Sequence, residues 1–108
     1  MAYCEILTSR VRDELIDYEF YSEKRMFGSK VFLLSGKMVC AVTGDDMIVR
    51  VGPVVYEECL AKDYVRTFNM KGRPTKGWVI VDGDQLLNRD DLLEWINKGI
   101  SFCLSLSS

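Results

Sequence analysis

Residues 31–51 read VFLLSGKMVCAVTGDDMIVRV. Three short apolar runs, Val31 to Leu34, Met38 to Val42 and Met47 to Val51, are separated by Ser35-Gly36 and by Gly44-Asp45-Asp46. Runs of four or five apolar, partly β-branched residues are strand-like, and glycine beside a small polar residue supplies the positive φ that a tight hairpin needs. The stretch therefore predicts three antiparallel strands in a meander. Upstream, Phe20 to Phe27 mixes aromatic and charged residues before Gly28-Ser29. It reads as the start of the first strand, bent at a glycine bulge. Further upstream, Cys4, Leu7, Val11, Leu15 and Tyr18 recur at helical spacing, which predicts an amphipathic helix over 4–18.

Downstream of the meander, Gly52-Pro53 has the form of an N-cap followed by a first helical position, since proline has no N–H to orphan there. A short helix is expected, with Val55/Cys59 and Tyr56/Leu60 as i,i+4 pairs. Tyr64 to Met70 looks extended, Gly72-Arg73-Pro74 reads as a loop, and Gly77 to Val81 as a strand completing a second hairpin. Asn88 with Asp91 resembles a capping box, and Leu92, Ile96, Ile100 and Cys103 mark a last helix. Gly99 inside that helix costs about 1 kcal/mol against alanine, so close packing is expected there. The tail 105–108 is expected to fray.

The order α-β-β-β-α-β-β-α defines an α+β fold: a two-layer sandwich with a mainly antiparallel sheet and helices packed on one face. At 108 residues the chain fits a single domain, ordered over about residues 3–104. One feature is out of place in such a sandwich. The strand runs are apolar at nearly every position, whereas a sheet with one wet face alternates. Either the sheet curls on itself or a second surface, from a protein partner or another copy, covers it.

Composition removes several function classes. The chain has no histidine, which excludes imidazole bases, Ser-His and Cys-His pairs and imidazole metal ligands. Cys4, Cys40, Cys59 and Cys103 have no short ligand spacing, so reduced core thiols are expected, without metal or cofactor. No basic leader followed by a long apolar stretch precedes the first helix, and no 18-residue apolar run occurs, so a cytoplasmic location and no membrane association are expected. Carboxylate pairs at Asp45/Asp46, Glu57/Glu58, Asp82/Asp84 and Asp90/Asp91 fall in turns, first helical turns and a strand end, where they are locally favourable. A calcium loop starting at Asp82 would need glycine at 87 and glutamate at 93; both are leucine.

Charge is uneven. Residues 24–76 hold ten Lys/Arg against five Asp/Glu, while the remainder holds four against eleven. Ion pairing between helix and sheet rims would produce this pattern. As a binding surface, Arg25, Lys30, Arg50, Arg73 and Lys76 would face an acidic partner or nucleic acid, with Phe27, Phe68 or Trp78 for stacking. Net charge of −2 gives no global positive field, so direct nucleic-acid binding is not the expected function.

Arg25-Met26-Phe27-Gly28, Gly36-Lys37-Met38, Met47 to Val51, Gly72-Arg73-Pro74, Lys76-Gly77-Trp78 and Leu93-Glu94-Trp95 occur in order along the chain. This set resembles the TfoX/Sxy N-terminal domain family over about residues 3–104. The resemblance implies the same element order, and a relation to regulators of natural competence for DNA transformation that act with the cyclic-AMP receptor transcription factor. Ser29 stands where family members often carry a second glycine, and full-length competence regulators add a C-terminal helical domain beyond the span of this sequence. The motif residues Arg25, Met26, Phe27, Gly28, Arg50, Gly72, Arg73, Pro74, Gly77, Trp78 and Trp95 are read as structural, with Met26 or Phe27 entering the core. The expected function is non-enzymatic: regulatory binding of a protein partner or of a second copy as a homodimer. The alternative is a small ligand-binding protein or cysteine-dependent enzyme, using Cys40 or Cys59 or a cationic pocket near Arg25 and Arg50.

Overall fold

The computed structural model describes residues 4–26, 28–70 and 72–106. Helix α1 (Glu5–Leu15) is followed by strands β1 (Tyr21–Met26), β2 (Ser29–Leu34), β3 (Lys37–Thr43) and β4 (Asp46–Arg50). Helix α2 (Tyr56–Leu60), strands β5 (Val65–Met70) and β6 (Arg73–Val81), a 3-10 turn (Gly83–Leu86) and helix α3 (Arg89–Ser105) complete the chain. The sheet is six-stranded and antiparallel, in the order β1-β2-β3-β4-β6-β5. Three helices pack against one side of it, burying Val11 and Leu15 of α1, Cys59 of α2, and Leu92, Trp95, Ile96 and Cys103 of α3 with Phe32, Val42, Met47, Val49, Val79 and Val81.

The α+β sandwich follows the expectation, with one added strand. Phe20–Leu34 is two strands rather than one bent strand. Met26 pairs with Ser29 across a tight turn in which Gly28 has φ +78°, the left-handed region open to glycine. The added strand, YSEKRM, is a polar edge, so it lacks the apolar signature of its neighbours. The next turn follows the hairpin rule directly: Ser35 and Gly36 both have positive φ, as a type I′ turn requires.

Helix boundaries move for local reasons. α1 is shorter than its 4–18 pattern; the Cys4 thiol caps it by accepting from Leu7 N, and Cys4 N donates to Gly44 O at 2.7 Å. Gly52-Pro53 does not open α2. Gly52 has φ +87°, and the N–H groups of Val51 and Gly52 both donate to Gly77 O, so the backbone is still tied to β6 and the helix begins three residues after Pro53. The expected loop at Gly72-Arg73-Pro74 is a hairpin end whose second and third residues already belong to β6. Pro74 is tolerated because β4 pairs with β6 only from Trp78 to Val81, leaving that side of Pro74 without a ladder partner to satisfy. Asn88 caps α3 by accepting from Asp90 N at 2.7 Å. A Cβ on Gly99 would lie 2.6 Å from Val39 O, so α3 rides on β3 as closely as the sequence predicts. Ser105, expected in a frayed tail, instead ends α3, and Leu106 is its C-cap; 107–108 lie outside the described residues.

Candidate binding groove on the open face of the sheet

Residues paired directly across strands share a face, so the register fixes what each side of the sheet presents. One line of partners runs through all six strands: Lys24, Val31, Ala41, Ile48, Ile80 and Arg66. The helices lie on the other side. Val31, Leu33, Ala41 and Ile48 form a second apolar cluster, separate from the main core, with Met38, Phe68, Trp78 and Ile80 packed around it. Val31, Leu33, Ala41 and Ile48 are each less than 8% exposed although no helix among the described residues covers them. The sheet achieves this by curling. Bulges interrupt the register between Phe32 and Leu33 and between Thr67 and Asn69, where the β6 partner jumps from Val79 to Pro74. Met26 and Ser29 at one edge and Arg66 to Asn69 at the other thereby line one cavity of about 770 Å³, with Trp78 and Ile80 in its wall. Of the two expectations for this face the sheet meets the first, by curling, and an apolar groove remains on it.

Arg50 pairs with Trp78 at the last position of β4, outside the residues that line the groove. Its guanidinium sits 5.1 Å from the Trp78 ring centre and 5.1 Å from that of Phe102 on α3, held between two π faces. Among the described residues its N–H groups have no protein acceptor. Trp78 is in turn 6.0 Å from Phe68. Arg66 donates to Asp46 Oδ2 at 2.9 Å, and Asp46 Oδ1 accepts from Gly83 N.

The basic residues singled out in the sequence do not form one patch. Arg25 pairs with Lys30, and Lys30 with Val42, which places them on the helix side. Lys30 is committed to Glu23 at 3.2 Å. Glu23 also receives Arg12 of α1, at 2.5 and 2.9 Å, and the Tyr21 hydroxyl. The Arg12 hydrogen bonds hold its carboxyl at about 2, and burial together with Glu23 pushes the Tyr21 hydroxyl up. Arg73 and Lys76 are exposed near the β5–β6 turn. A shared cationic pocket at Arg25 and Arg50 is not formed, because the two lie on opposite faces with two strands between them.

The motif residues separate into turns, joints and core. Gly28 and Gly72 occupy hairpin turns, Gly77 accepts the two N–H groups that end β4, and Trp95 is 2% exposed with Tyr64 edge-on at 6.4 Å. Met26 does not enter the core; it is 41% exposed at the groove mouth, and Phe27 lies outside the described residues. Cys40 is buried and its thiol is pushed up to about 12, while burial also raises Cys59, so neither favours the thiolate a nucleophile needs. All four cysteines are free. Among the described residues no three Cys, Asp or Glu side chains converge as metal ligands, and no helix is long and apolar enough to cross a membrane. Lys24 and Arg66 escaped the sequence reading: two cations 42 positions apart become the ends of one row only through the register of six strands.

This geometry defines a class of protein: an α+β domain with helices on one side of an antiparallel sheet and an apolar, cation-edged groove on the other. The family model for the TfoX N-terminal domain matches residues 13–103, and the chain belongs to that family. No curated protein and no solved structure gives a match.

Proposed function

We propose that this domain is a non-enzymatic regulatory module that acts by binding a protein through the open face of its sheet, in a process related to DNA-transformation competence. The second apolar cluster carries the reading. A helix-free face floored by Val31, Ala41, Ile48 and Ile80 is a surface that binding would complete. Family membership supports the regulatory context, and the buried, protonated thiols speak against cysteine chemistry.

The test is genetic. In the native cell, deletion of the gene is expected to lower transformation frequency and competence-gene transcripts. Complementation with the wild type or a Cys40→Ala, Cys59→Ala double variant should restore both, whereas Ile80→Glu, checked to melt near the wild-type temperature, should not. Unchanged phenotypes on deletion would remove the regulatory reading. Rescue by Ile80→Glu with failure of the cysteine variant would replace it with thiol chemistry.

A further inference from the structure

We infer that the groove accepts an acidic amphipathic helix from a partner protein, lying along the strands with its apolar stripe on Val31, Ala41, Ile48 and Ile80 and its acidic flanks against Lys24 and Arg66. The inference rests on the binding reading above and names the partner's chemistry.

Three observations converge on that occupant. The cross-strand row places a cation at each end of four consecutive apolar residues, so the surface is a hydrophobic strip between two positive rims. Its mirror image is an apolar stripe between two acidic rows, which is the cross-section of an acidic amphipathic helix. The sizes agree: five inter-strand spacings of about 4.8 Å give an arc of about 24 Å, wide enough for a helix about 10–12 Å across with flanking side chains reaching each rim. Arg66 gives Asp46 one nitrogen while its remaining donors stay free for a second carboxylate.

The same charges disfavour the other occupants. A second copy placed face to face would set one cationic rim against another, and Asp46 alone cannot offset Lys24 and Arg66. Single-stranded nucleic acid needs a series of aromatic platforms, but the floor is aliphatic and Phe68 and Trp78 are already packed on each other.

The experiment uses the full chain, isotope-labelled, with two fourteen-residue helical peptides that carry leucine on one face and either glutamate or lysine on both flanks. An oligothymidine strand and the protein alone in light scattering are the remaining arms. The glutamate peptide is expected to shift the amide signals of the six-residue row and the Trp78 indole, and to lose at least tenfold in affinity at high salt. Lys24→Glu with Arg66→Glu should reverse the preference towards the lysine peptide. Should that reversal perturb folding beside Asp46, Lys24→Gln with Arg66→Gln is expected to abolish the preference. Equal binding of both peptides, shifts confined to the helix side, stronger binding of oligothymidine, or a dimer of the protein alone that buries the row would each overturn the proposal. Loss of phenotype in Ile80→Glu without peptide binding would overturn it too, while leaving the binding reading in place.

Discussion

Glu23 sits where three donors meet: Arg12 from α1, the Tyr21 hydroxyl and Lys30 from β2. Its folded carboxyl, at about 2, lies below the ordinary 4.5, so the folded state favours the ionised form more than the unfolded chain does. The stability this gives is complete above the ordinary value, shrinks as pH falls between the two, and is gone below the folded one. Glu23→Gln is expected to cost about 1–3 kcal/mol at neutral pH, because charge-assisted bonds are lost while two cations remain. Urea unfolding of both proteins at several pH values checks this: the gap should narrow steadily on acidification through that interval, and a gap independent of pH would contradict it. None of this network was legible in the sequence. Lys30 read as a surface cation, and only the pairing of Glu23 with Phe32 puts the carboxylate on the helix side.

Elements were more legible than residues, because a helix or strand writes its period into many positions at once. α3 was fully marked by its cap, its apolar spacing and Gly99. β1 was not, since an edge strand with one half-buried face has little apolar period to show. The two glycines give matching tests at this scale. Gly99→Ala places a methyl 2.6 Å from Val39 O and should separate α3 from β3, costing about 1–3 kcal/mol despite the better helix propensity of alanine. Gly28→Val forces a β-branched residue into a left-handed turn and should cost about 1–3 kcal/mol, read as a lowered denaturation midpoint. Unchanged midpoints would mean that α3 or the hairpin yields without strain. Other boundaries escaped because tertiary bonds set them, as at Gly52, where Gly77 O holds the chain in the sheet past the point where Pro53 suggests a helix.

For the molecule as a whole, burial divides the thiols. Cys4 is partly exposed at the start of α1, while Cys40, Cys59 and Cys103 lie in the core. An aromatic disulfide reagent should therefore label one thiol quickly and the other three only on global unfolding, with four titrated in denaturant. Rapid labelling of two or more under native conditions would show that the core opens locally. The apolar excess in the strands was legible as an anomaly, but the curl that shelters it depends on two bulges whose positions no periodicity marks.

The polar edge strand has a consequence for life at high concentration. An outermost strand exposes a row of backbone N–H and C=O groups that can template the addition of another chain. In β1 that strand carries Ser22, Glu23, Lys24 and Arg25 in succession, so an incoming β-strand would have to desolvate charge along its whole length. Replacing Ser22, Lys24 and Arg25 with valine is expected to turn the rim into a sticky template, with rising light scattering and thioflavin fluorescence on agitation. A variant that stays monomeric and dye-negative would locate the guard elsewhere. The residues that made β1 hard to recognise as a strand are then the ones that keep it from growing into a fibril.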